Sequence, residues 1–410
     1  MRIAVDARPL QNEGGRRGVG RYVRSLITAT PAGAEEFLYL ESLWGPHGLV
    51  PARAGARTVR LARPARAITI FDQIATPLLC RARGVDVFHS TFYALPRSGW
   101  GRTRKVLTVH DLIPLIVPGA TGVKNRLIFE EVYRSGLGAD AVIVPSARTA
   151  RDIEERIGIR RDRIRVVPMG VGAPFVQGPS ASRAESQYED QPGRGARTTD
   201  VPGGPSRTGG ETPRGPSGSL ARARREGRSA LLYVGGFDPS KNVPFLFESL
   251  RHLADTGAML FLAGDPSGRG EFLRAAAESA GVREKVVWCG RLTDEDLAAA
   301  YREASLFVSA SLYEGFGFPP LEAMACGCPV VSLAHGAVPE VVSGAALTVE
   351  EKDPVVFAAA IDRALGDGEL RARLVEGGLA RARELSWPRA AQTTLDLYRE
   401  LCGRGNGAGA

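Results

Sequence analysis

Short runs of apolar residues alternate with helical patterns along the first part of the chain. The predicted strands lie at 2–6, 37–40, 85–89, 106–109 and 141–144, and the predicted helices include 71–83, 124–137 and 146–157. The strand-like runs are continuously apolar, which is typical of strands that are buried on both faces of a parallel sheet. The first part of the chain is therefore expected to form a sheet with helices on both sides.

The same alternation returns after residue 229. The predicted strands lie at 230–234, 259–263, 285–288, 306–309 and 329–332, and the predicted helices at 243–254, 270–280, 294–303, 354–365, 369–384 and 387–401. Thr293 precedes three acidic residues, which is the pattern of a helix N-cap followed by a first turn rich in acids. The two halves together predict an α/β protein of two facing, doubly wound, Rossmann-like domains.

Residues 177–228 separate the two halves and show no apolar periodicity. The segment is rich in Gly, Pro, Ser and Arg, and such a composition does not bury enough apolar surface to offset the entropy of ordering. We predict a disordered insertion here, between an N-terminal domain at 1–176 and a C-terminal domain at 229–386. A disordered tail is predicted at 402–410.

The composition is that of a globular protein, with 44% hydrophobic and 24% charged residues and a net charge of +8. No apolar run approaches the roughly 20 residues that a membrane-spanning helix needs. The N-terminus reads as a strand with an acid rather than as a signal peptide. We therefore expect a cytoplasmic protein, whose basic balance permits peripheral contact with the inner face of a membrane.

The basic residues do not form a nucleic-acid surface. They are mostly arginines, scattered along the chain, and they do not alternate with aromatic residues. The five cysteines show no disulfide framework. Cys326 and Cys328 flank one glycine, but no second pair or nearby His completes a tetrahedral set, so we expect buried thiols and no metal site.

The densest candidate chemistry follows the predicted strand 306–309. A turn with Gly315 and Gly317 leads through two prolines into a short apolar helix, and the N–H groups at such a helix start favour a phosphate. Glu314 and Glu322 flank this turn, and carboxylates accept hydrogen bonds from hydroxyls. Phosphate donors beside hydroxyl acceptors indicate a nucleotide-sugar site, although a structural β-turn-α unit with solvated carboxylates has the same pattern.

His110 and Asp111 follow the predicted strand 106–109. Ligands of parallel sheets bind beyond the carboxyl ends of the strands, so His110 is a site candidate. A hydrogen-bonded structural histidine is the alternative. Asp111 is the next residue along the chain, and its side chain need not face the same way.

Lys241 stands between a strand and a helix of the second half, where its ammonium group could neutralise a diphosphate or simply be solvated. Gly18 and Gly20 follow the first strand without the spacing of the dinucleotide fingerprint. They could let the backbone approach a ligand, or they could merely form a turn. Two facing domains would place these glycines and His110 across a cleft from Lys241 and Glu314.

These residues resemble the signature of the retaining family 4 (group 1) glycosyltransferases. The most specific match is Glu314 and Glu322 separated by Gly-Phe-Gly-Phe-Pro-Pro-Leu. Further matches lie at 18–22, 109–111, 234–242, 289–292 and 325–331. The resemblance covers 1–175 and 229–401, and it implies the glycosyltransferase B fold, in which the last helix, 387–401, crosses back onto the first domain.

The resemblance also implies roles for individual residues. The predicted catalytic residues are His110 near the reacting sugar, Lys241 at the diphosphate and Glu314 at the donor sugar, while Glu322 would hold the ribose hydroxyls. The rest of the donor site would comprise Gly18, Gly20, Gly235, Gly236, Arg291, Leu292, Gly315, Phe316 and Gly317. The acceptor side would comprise Arg21, Tyr22 and Asp111.

One departure from the family pattern concerns the diphosphate. Many relatives carry an arginine just after the strand glycine or just before the lysine, whereas Gly236 and Ser240 stand at these positions here. Lys241 would then act with less help, unless helix ends or one of Arg16, Arg17 and Arg21 compensates. The pattern Gly-x-x-x-Pro-x-Lys-Asn is similar to that of GDP-mannose-dependent mannosyltransferases.

The resemblance implies a retaining hexosyltransferase that needs no cofactor or metal. Its donor would be a nucleotide sugar, GDP-mannose above all, and its acceptor a hydroxyl of a saccharide or lipid-linked saccharide in polysaccharide or glycolipid synthesis. A UDP- or ADP-glucose donor is the alternative within this activity. A nucleotide-sugar epimerase and a non-catalytic binding module on the same fold are the alternatives from other classes.

Overall fold

The computed structural model describes residues 1–11, 18–52, 55–61, 70–92, 94–176, 216–254, 257–266 and 268–403. Most of the predicted insertion, 177–215, lies outside the described residues. So do the start of the glycine-rich turn, 12–17, and the last residues, 404–410.

The first domain is built on a parallel sheet with the order β3-β2-β1-β4-β5-β6-β7. Its strands are β1 (Arg2–Asp6), β2 (Glu36–Ser42), β3 (Ala56–Leu61), β4 (Val87–Ser90), β5 (Arg104–Thr108), β6 (Ala141–Val144) and β7 (Ile164–Val166). Its helices are α1 (Gly18–Ala29), α2 (Ile70–Ala82), α3 (Ile113–Ile116), α4 (Val123–Ser135) and α5 (Ala147–Ile157).

The second domain is built on a parallel sheet with the order β10-β9-β8-β11-β12-β13. Its strands are β8 (Ala230–Val234), β9 (Met259–Ala263), β10 (Val286–Gly290), β11 (Leu306–Ser309), β12 (Val330–Leu333) and β13 (Leu347–Val349). The helices from here on are α6 (Pro216–Arg225), α7 (Val243–Arg251), α8 (Gly270–Ser279), α9 (Asp294–Glu303), α10 (Phe318–Ala325), α11 (Val338–Val342), α12 (Pro354–Gly366), α13 (Gly368–Glu384) and α14 (Trp387–Gly403).

The central strands are buried on both faces, which explains their continuous apolar runs. In β1, Ile3 and Val5 join one apolar cluster and Ala4 joins another on the opposite face. Two parallel sheets with helices on both sides confirm the predicted α/β fold of two doubly wound domains. Of the helices that the structure describes, none combines the length and the apolar character needed to span a membrane.

Three strands, β3, β7 and β13, are not predicted from the sequence. Each lies at an edge of its sheet, and each is only partly buried. An edge strand contacts one neighbour and keeps polar residues toward solvent, so it lacks the continuous apolar run that marks the central strands.

Helix α6 corrects the predicted end of the insertion at residue 228. It runs over Pro216–Arg225, and Leu220 and Ala223 are buried where it packs against α9. The apolar face of this helix is narrow and lies among many arginines, so the composition of the segment does not indicate a helix. The predicted tail also begins slightly too early, because α14 continues to Gly403.

Helix α14 lies against α1 of the first domain. Arg399 of α14 pairs with Glu35 at 2.8 Å, and Glu400 pairs with Arg165 at 3.0 Å. The helix also contributes Tyr398 to the core of the first domain. The last element of the chain thus ties the two domains together.

A buried polar chain links α14 to the carboxyl end of the first sheet. The His89 Nδ1 lies 2.6 Å from the Tyr398 hydroxyl, and its Nε2 lies 2.7 Å from the Thr108 hydroxyl. Thr108 in turn lies 3.1 Å from the Tyr22 hydroxyl. Burial, with a smaller contribution from His110, lowers the pKa of His89 to about 3, so this imidazole is neutral at physiological pH.

This buried histidine predicts that the protein loses stability in mild acid. The unfolded state takes up a proton at about pH 6.5 while folded His89 does not, so His89 alone should lower the free energy of unfolding by about 2 kcal/mol between pH 7.5 and pH 5. Thermal unfolding at the two pH values should show that the free energy of unfolding decreases less for the H89Q variant than for the wild type. The exposed His252 supplies the control H252Q, and an equal decrease in H89Q and wild type would contradict the assignment.

Candidate active site

The carboxyl ends of the two sheets meet at Gly315. Its carbonyl oxygen accepts hydrogen bonds from the Ser146 hydroxyl at 2.8 Å and the Thr149 hydroxyl at 3.2 Å. Ser146 is the N-cap of α5 and also accepts from the backbone N–H of Thr149. The cap of a first-domain helix thus holds the glycine-rich turn of the second domain.

The contact at Gly315 leaves no room for a side chain. A Cβ at this position would lie 2.1 Å from the His110 carbonyl oxygen and 2.6 Å from the Asp111 Cβ. Glycine is therefore required for the two backbones to approach this closely. The turn after β11 and the segment after β5, each predicted to be a site, come together here.

Lys241 and Glu314 form an ion pair beside this contact. The Lys241 Nζ donates to a Glu314 carboxylate oxygen at 2.7 Å, and both side chains are largely buried. Burial acts to lower the pKa of Lys241, but the charge of Glu314 and their hydrogen bond raise it above its usual value. Lys241 is thus held as a cation at the carboxyl end of β8.

Local structure fixes the position of Lys241. Pro239–Lys241 form a short 3-10 helix, which is capped by the Asp238 carboxylate through the backbone N–H of Ser240 at 3.0 Å. Asn242 adopts a left-handed conformation with φ of 52° and leads directly into α7. The carbonyl oxygen of Ser240 accepts from the Leu312 N–H at 2.7 Å, which joins this turn to the segment that carries Glu314.

Glu322 lies in a second polar cluster that also spans the two domains. Its side chain is buried, and it accepts hydrogen bonds from Arg21 of α1 and from the Tyr301 hydroxyl at 3.2 Å. Arg21 donates in addition to the Asp294 carboxylate at 2.7 Å. Burial raises the pKa of Glu322, although the Arg21 charge opposes this effect.

Arg21 makes a contact that the sequence does not indicate. Arg21 is expected on the acceptor side, but the structure places its guanidinium on the carboxylate that is expected to hold ribose. It also lies 5.5 Å from the centre of the Phe175 ring. Burial acts to lower the pKa of Arg21, but Glu322 and Asp294 raise it, so the guanidinium is a firmly charged bridge between the domains.

Helix α10 begins directly at the turn between the two carboxylates. Gly317 is its N-cap, with φ of +105°, and Pro319 and Pro320 occupy its first turn. The left-handed conformation at position 317 would strain any residue other than glycine. The helix directs its positive end toward the turn. The predicted glycine turn and helix start are thus present between Glu314 and Glu322.

His110 borders a cavity of about 360 Å³ between the domains. Its half-buried ring places Nε2 2.9 Å from the Thr91 carbonyl oxygen, so Nε2 carries the proton. The Tyr22 ring packs edge-on against it at 4.8 Å. Burial lowers the pKa of His110 to about 4, so the imidazole is neutral and its Nδ1 is a hydrogen-bond acceptor.

The same cavity combines apolar and charged walls. Asp111 lines the cavity. Its carboxylate accepts a hydrogen bond at 2.9 Å from the backbone N–H of Ile113, two residues further along the chain. Burial raises the pKa of Asp111. The remaining walls include Phe92, Phe129 and Tyr133 of the first domain and Asp238 and Lys241 of the second.

The other predicted residues occupy the ends of strands and helices. Gly18 and Gly20 begin α1, with Gly20 buried. Gly235 and Gly236 follow β8, and Gly235 is packed so closely that a Cβ on neighbouring Gly264 would lie 2.0 Å from its carbonyl oxygen. Arg291 is exposed and Leu292 half-buried at the end of β10.

Sequence reasoning misses several residues that build the site. A Cβ on Gly336 would lie 2.4 Å from the Glu314 nitrogen, and the N–H of Ala337 donates to the Glu314 carbonyl oxygen at 2.9 Å. Tyr301 and Asp294, which contact Glu322 and Arg21, lie on α9. Only the acids at the start of α9 give a local signal, and that signal indicates a helix cap rather than a site.

The structure shows no resident metal cluster in the part of the chain that it describes. No group of three or more His, Cys, Asp or Glu side chains is arranged there to bind an ion. Cys326 and Cys328 are both buried, as predicted. Burial raises the pKa of the Cys326 thiol to about 12.

Two family models match the two domains. The model described as "Glycosyl transferases group 1" matches residues 221–381, and "Glycosyltransferase Family 4" matches residues 16–173. The D-inositol 3-phosphate glycosyltransferase of Salinispora arenicola is 30% identical over 348 residues, which are 78% of this chain and 70% of that protein. Each model thus falls on one domain, and this relative aligns across both.

A second relative matches more closely over a shorter stretch. The O-antigen chain mannosyltransferase B of Escherichia coli is 36% identical over 174 residues, which are 42% of this chain. The alignment spans 45% of that protein, less than half its length. Among solved structures, sucrose-phosphate synthase from Thermosynechococcus elongatus superposes with a TM-score of 0.71 at 22% identity, covering 98% of this chain and 100% of that one.

The contact at Gly315 predicts the effect of adding one methyl group there. In G315A the new Cβ would overlap the His110 carbonyl oxygen, so the domains must separate, and a displacement of about 1 Å costs about 100-fold in kcat/KM. The matched control is G366A at the end of α12, where a Cβ meets nothing within 4 Å. Steady-state kinetics of the two variants provide the check, and full activity in G315A would contradict the role of this contact.

Proposed function

Because the chain belongs to the group 1 glycosyltransferases, we propose that it transfers mannose from GDP-mannose to a hydroxyl of a saccharide or lipid-linked saccharide, with retention of configuration. The observation that carries this proposal is the pairing of Glu314 with Lys241 at the positive end of α10, opposite His110. The mannosyltransferase name of the E. coli relative supports the choice of sugar.

The buried Glu322 carboxylate would bind the ribose hydroxyls of the donor. Its present hydrogen bonds come from Arg21 and Tyr301, so a ribose hydroxyl would take the place of Arg21. A carboxylate this deeply buried requires donors for both oxygens, and two adjacent hydroxyls supply them without adding charge.

The displaced Arg21 would then become the second cation of the diphosphate site. The sequence lacks an arginine at Gly236 and Ser240, next to Lys241. Arg21 already lies within the junction between the domains, and its planar guanidinium suits two phosphate oxygens. Exchanging Glu322 for a diphosphate would keep the guanidinium paired with a negative charge throughout donor binding.

Departure of the nucleoside diphosphate is the step that needs electrostatic help. Lys241 and the N–H groups at the start of α10 would stabilise the negative charge that develops on the leaving phosphate. Glu314 would keep Lys241 protonated and accept a hydrogen bond from a sugar hydroxyl. The acceptor hydroxyl would attack on the face from which the diphosphate leaves, and a phosphate oxygen would take its proton, so configuration is retained without a protein nucleophile.

The cavity beside His110 would receive the reacting groups. Neutral His110 would accept a hydrogen bond from the transferred sugar through Nδ1, with Nε2 anchored on the Thr91 carbonyl oxygen. The apolar walls from Phe92, Phe129 and Tyr133 would limit the access of water and so limit hydrolysis of the donor.

A donor screen tests the proposed reaction. We expect release of GDP from GDP-mannose in the presence of saccharide acceptors, little release from UDP- or ADP-glucose, and an α-anomeric product by proton NMR. Release with UDP- or ADP-glucose alone would assign the alternative donor. Epimerised sugar formed without acceptor would replace the proposal by an epimerase, and absence of release with every donor would favour a non-catalytic binding module.

Two substitutions separate the proposed roles of the donor site. K241A should lower kcat by about 100- to 1000-fold, because a group that stabilises the leaving phosphate is lost. E322Q should mainly raise the KM for the donor, by about 10- to 100-fold, since a buried charged hydrogen-bond acceptor is lost. The exposed Lys352 of the same domain provides the control K352A. Wild-type kinetics in both site variants would refute the assignment.

A further inference from the structure

A loop after β2 is fixed in place by one buried side chain. The Gln11 amide nitrogen donates to the carbonyl oxygens of Ser42 at 3.0 Å and Pro46 at 2.9 Å, and its oxygen accepts from the Ser42 N–H at 2.7 Å. A Cβ on Gly45 would lie 2.7 Å from this amide nitrogen. Gln11 is itself buried, so the loop has a defined conformation.

This fixed loop presents an indole to solvent. The Trp44 side chain is 68% exposed, and Leu43 before it is 49% exposed. Large aromatic side chains are normally buried over most of their surface. A fixed loop that holds an indole outward is a preformed binding surface. A ligand that binds there loses little affinity to the entropy of ordering the loop.

A buried carboxylate underlies the same surface. Glu41, near the end of β2, is 1% exposed, and neither of its oxygens has a hydrogen-bond partner among the described residues. One oxygen lies 3.6 Å from the Arg60 Nε and 4.0 Å from the His47 Nδ1. Burial raises the pKa of Glu41.

Glu41 thereby holds two partly exposed donors close to the loop. The Arg60 side chain is 48% exposed and the His47 side chain 38% exposed. Arg60 is the register partner of Glu41 on the neighbouring strand β3, and His47 belongs to the same loop as Trp44. An exposed aromatic ring and hydrogen-bond donors at the same end of a sheet suit a polyhydroxylated ring, which has both an apolar face and hydroxyl edges.

The surface lies on the sheet edge that carries the candidate active site. Strands β2 and β5 are parallel members of one sheet, so their carboxyl ends share an edge. Three strand spacings separate them, roughly 14 Å. This distance is longer than one hexose ring, so a molecule that spans both places must be an extended chain.

We propose that Trp44, His47 and Arg60 form a second saccharide subsite, which binds a sugar unit of the acceptor several units away from the reacting hydroxyl. The inference rests on the proposed function, because it assigns a saccharide chain to the acceptor of that reaction. A membrane surface fits less well, since the partly exposed Arg60 and His47 side chains at the same end of the sheet would have to lose their hydration.

The subsite predicts a dependence on acceptor length. Acceptors long enough to reach Trp44 should bind more tightly than a single sugar, whereas kcat should depend little on length because Trp44 is remote from the chemistry. Loss of the indole should therefore raise the KM for long acceptors only. A purely structural role of Trp44 would affect short and long acceptors alike.

The test compares saccharide probes of different length on the intact protein. The probes are methyl α-mannoside, α-linked mannotriose and maltotriose, with binding measured by calorimetry and Trp44 exposure by acrylamide quenching of fluorescence. We expect one of the trisaccharides to shield Trp44 and to bind more tightly than the monosaccharide. W44A should weaken its binding about tenfold, and W44F should retain most of it. Binding of methyl α-mannoside should be unchanged.

The control L78A removes an exposed apolar side chain from α2 and should bind all probes as the wild type does. Equal trisaccharide affinity in W44A and wild type would overturn the proposal. Failure of both trisaccharides to shield Trp44 from acrylamide would overturn it as well. Shielding by phosphatidylglycerol vesicles instead would assign the surface to a membrane. Nucleotide release without acceptor is measured separately on W44A, so that failure of the donor reaction is distinguished from failure of the subsite.

Discussion

The close approach of the two domains at Gly315 is the constraint on which the candidate site depends. A glycine is required where the turn after β11 meets the His110 backbone, and the cap of α5 holds the carbonyl oxygen of the same glycine. Only this approach brings His110 of one sheet next to the Lys241–Glu314 pair of the other. Helix α14, which packs on α1, also ties the two domains together.

The second interdomain contact joins Arg21 of α1 to Glu322 of α10. The buried carboxylate of Glu322 is paired here with a cation of the first domain. A bound ribose hydroxyl would replace Arg21 as the partner of Glu322, and Arg21 would then be able to bind the diphosphate. Under the proposed function, donor binding would be coupled to the junction between the domains, because Arg21 would serve both.

Much of the fold follows from local sequence, and the glycosyltransferase B fold implied by the family resemblance is confirmed. The central strands are predicted because both faces are buried, and His110, Lys241, Glu314 and Glu322 because each lies next to a strand end or a glycine turn. The edge strands β3, β7 and β13 and helix α6 are missed because their apolar faces are narrow. The position of Arg21 is not predictable, since nothing local in the sequence encodes which groups face it across the junction.

The most direct test of the central claim is a crystal structure of the protein with GDP bound. We predict that the ribose hydroxyls donate to Glu322, that the diphosphate lies between Lys241 and the start of α10, and that Arg21 has moved from Glu322 to a phosphate oxygen. GDP bound elsewhere, with the contact between Arg21 and Glu322 intact, would contradict the account.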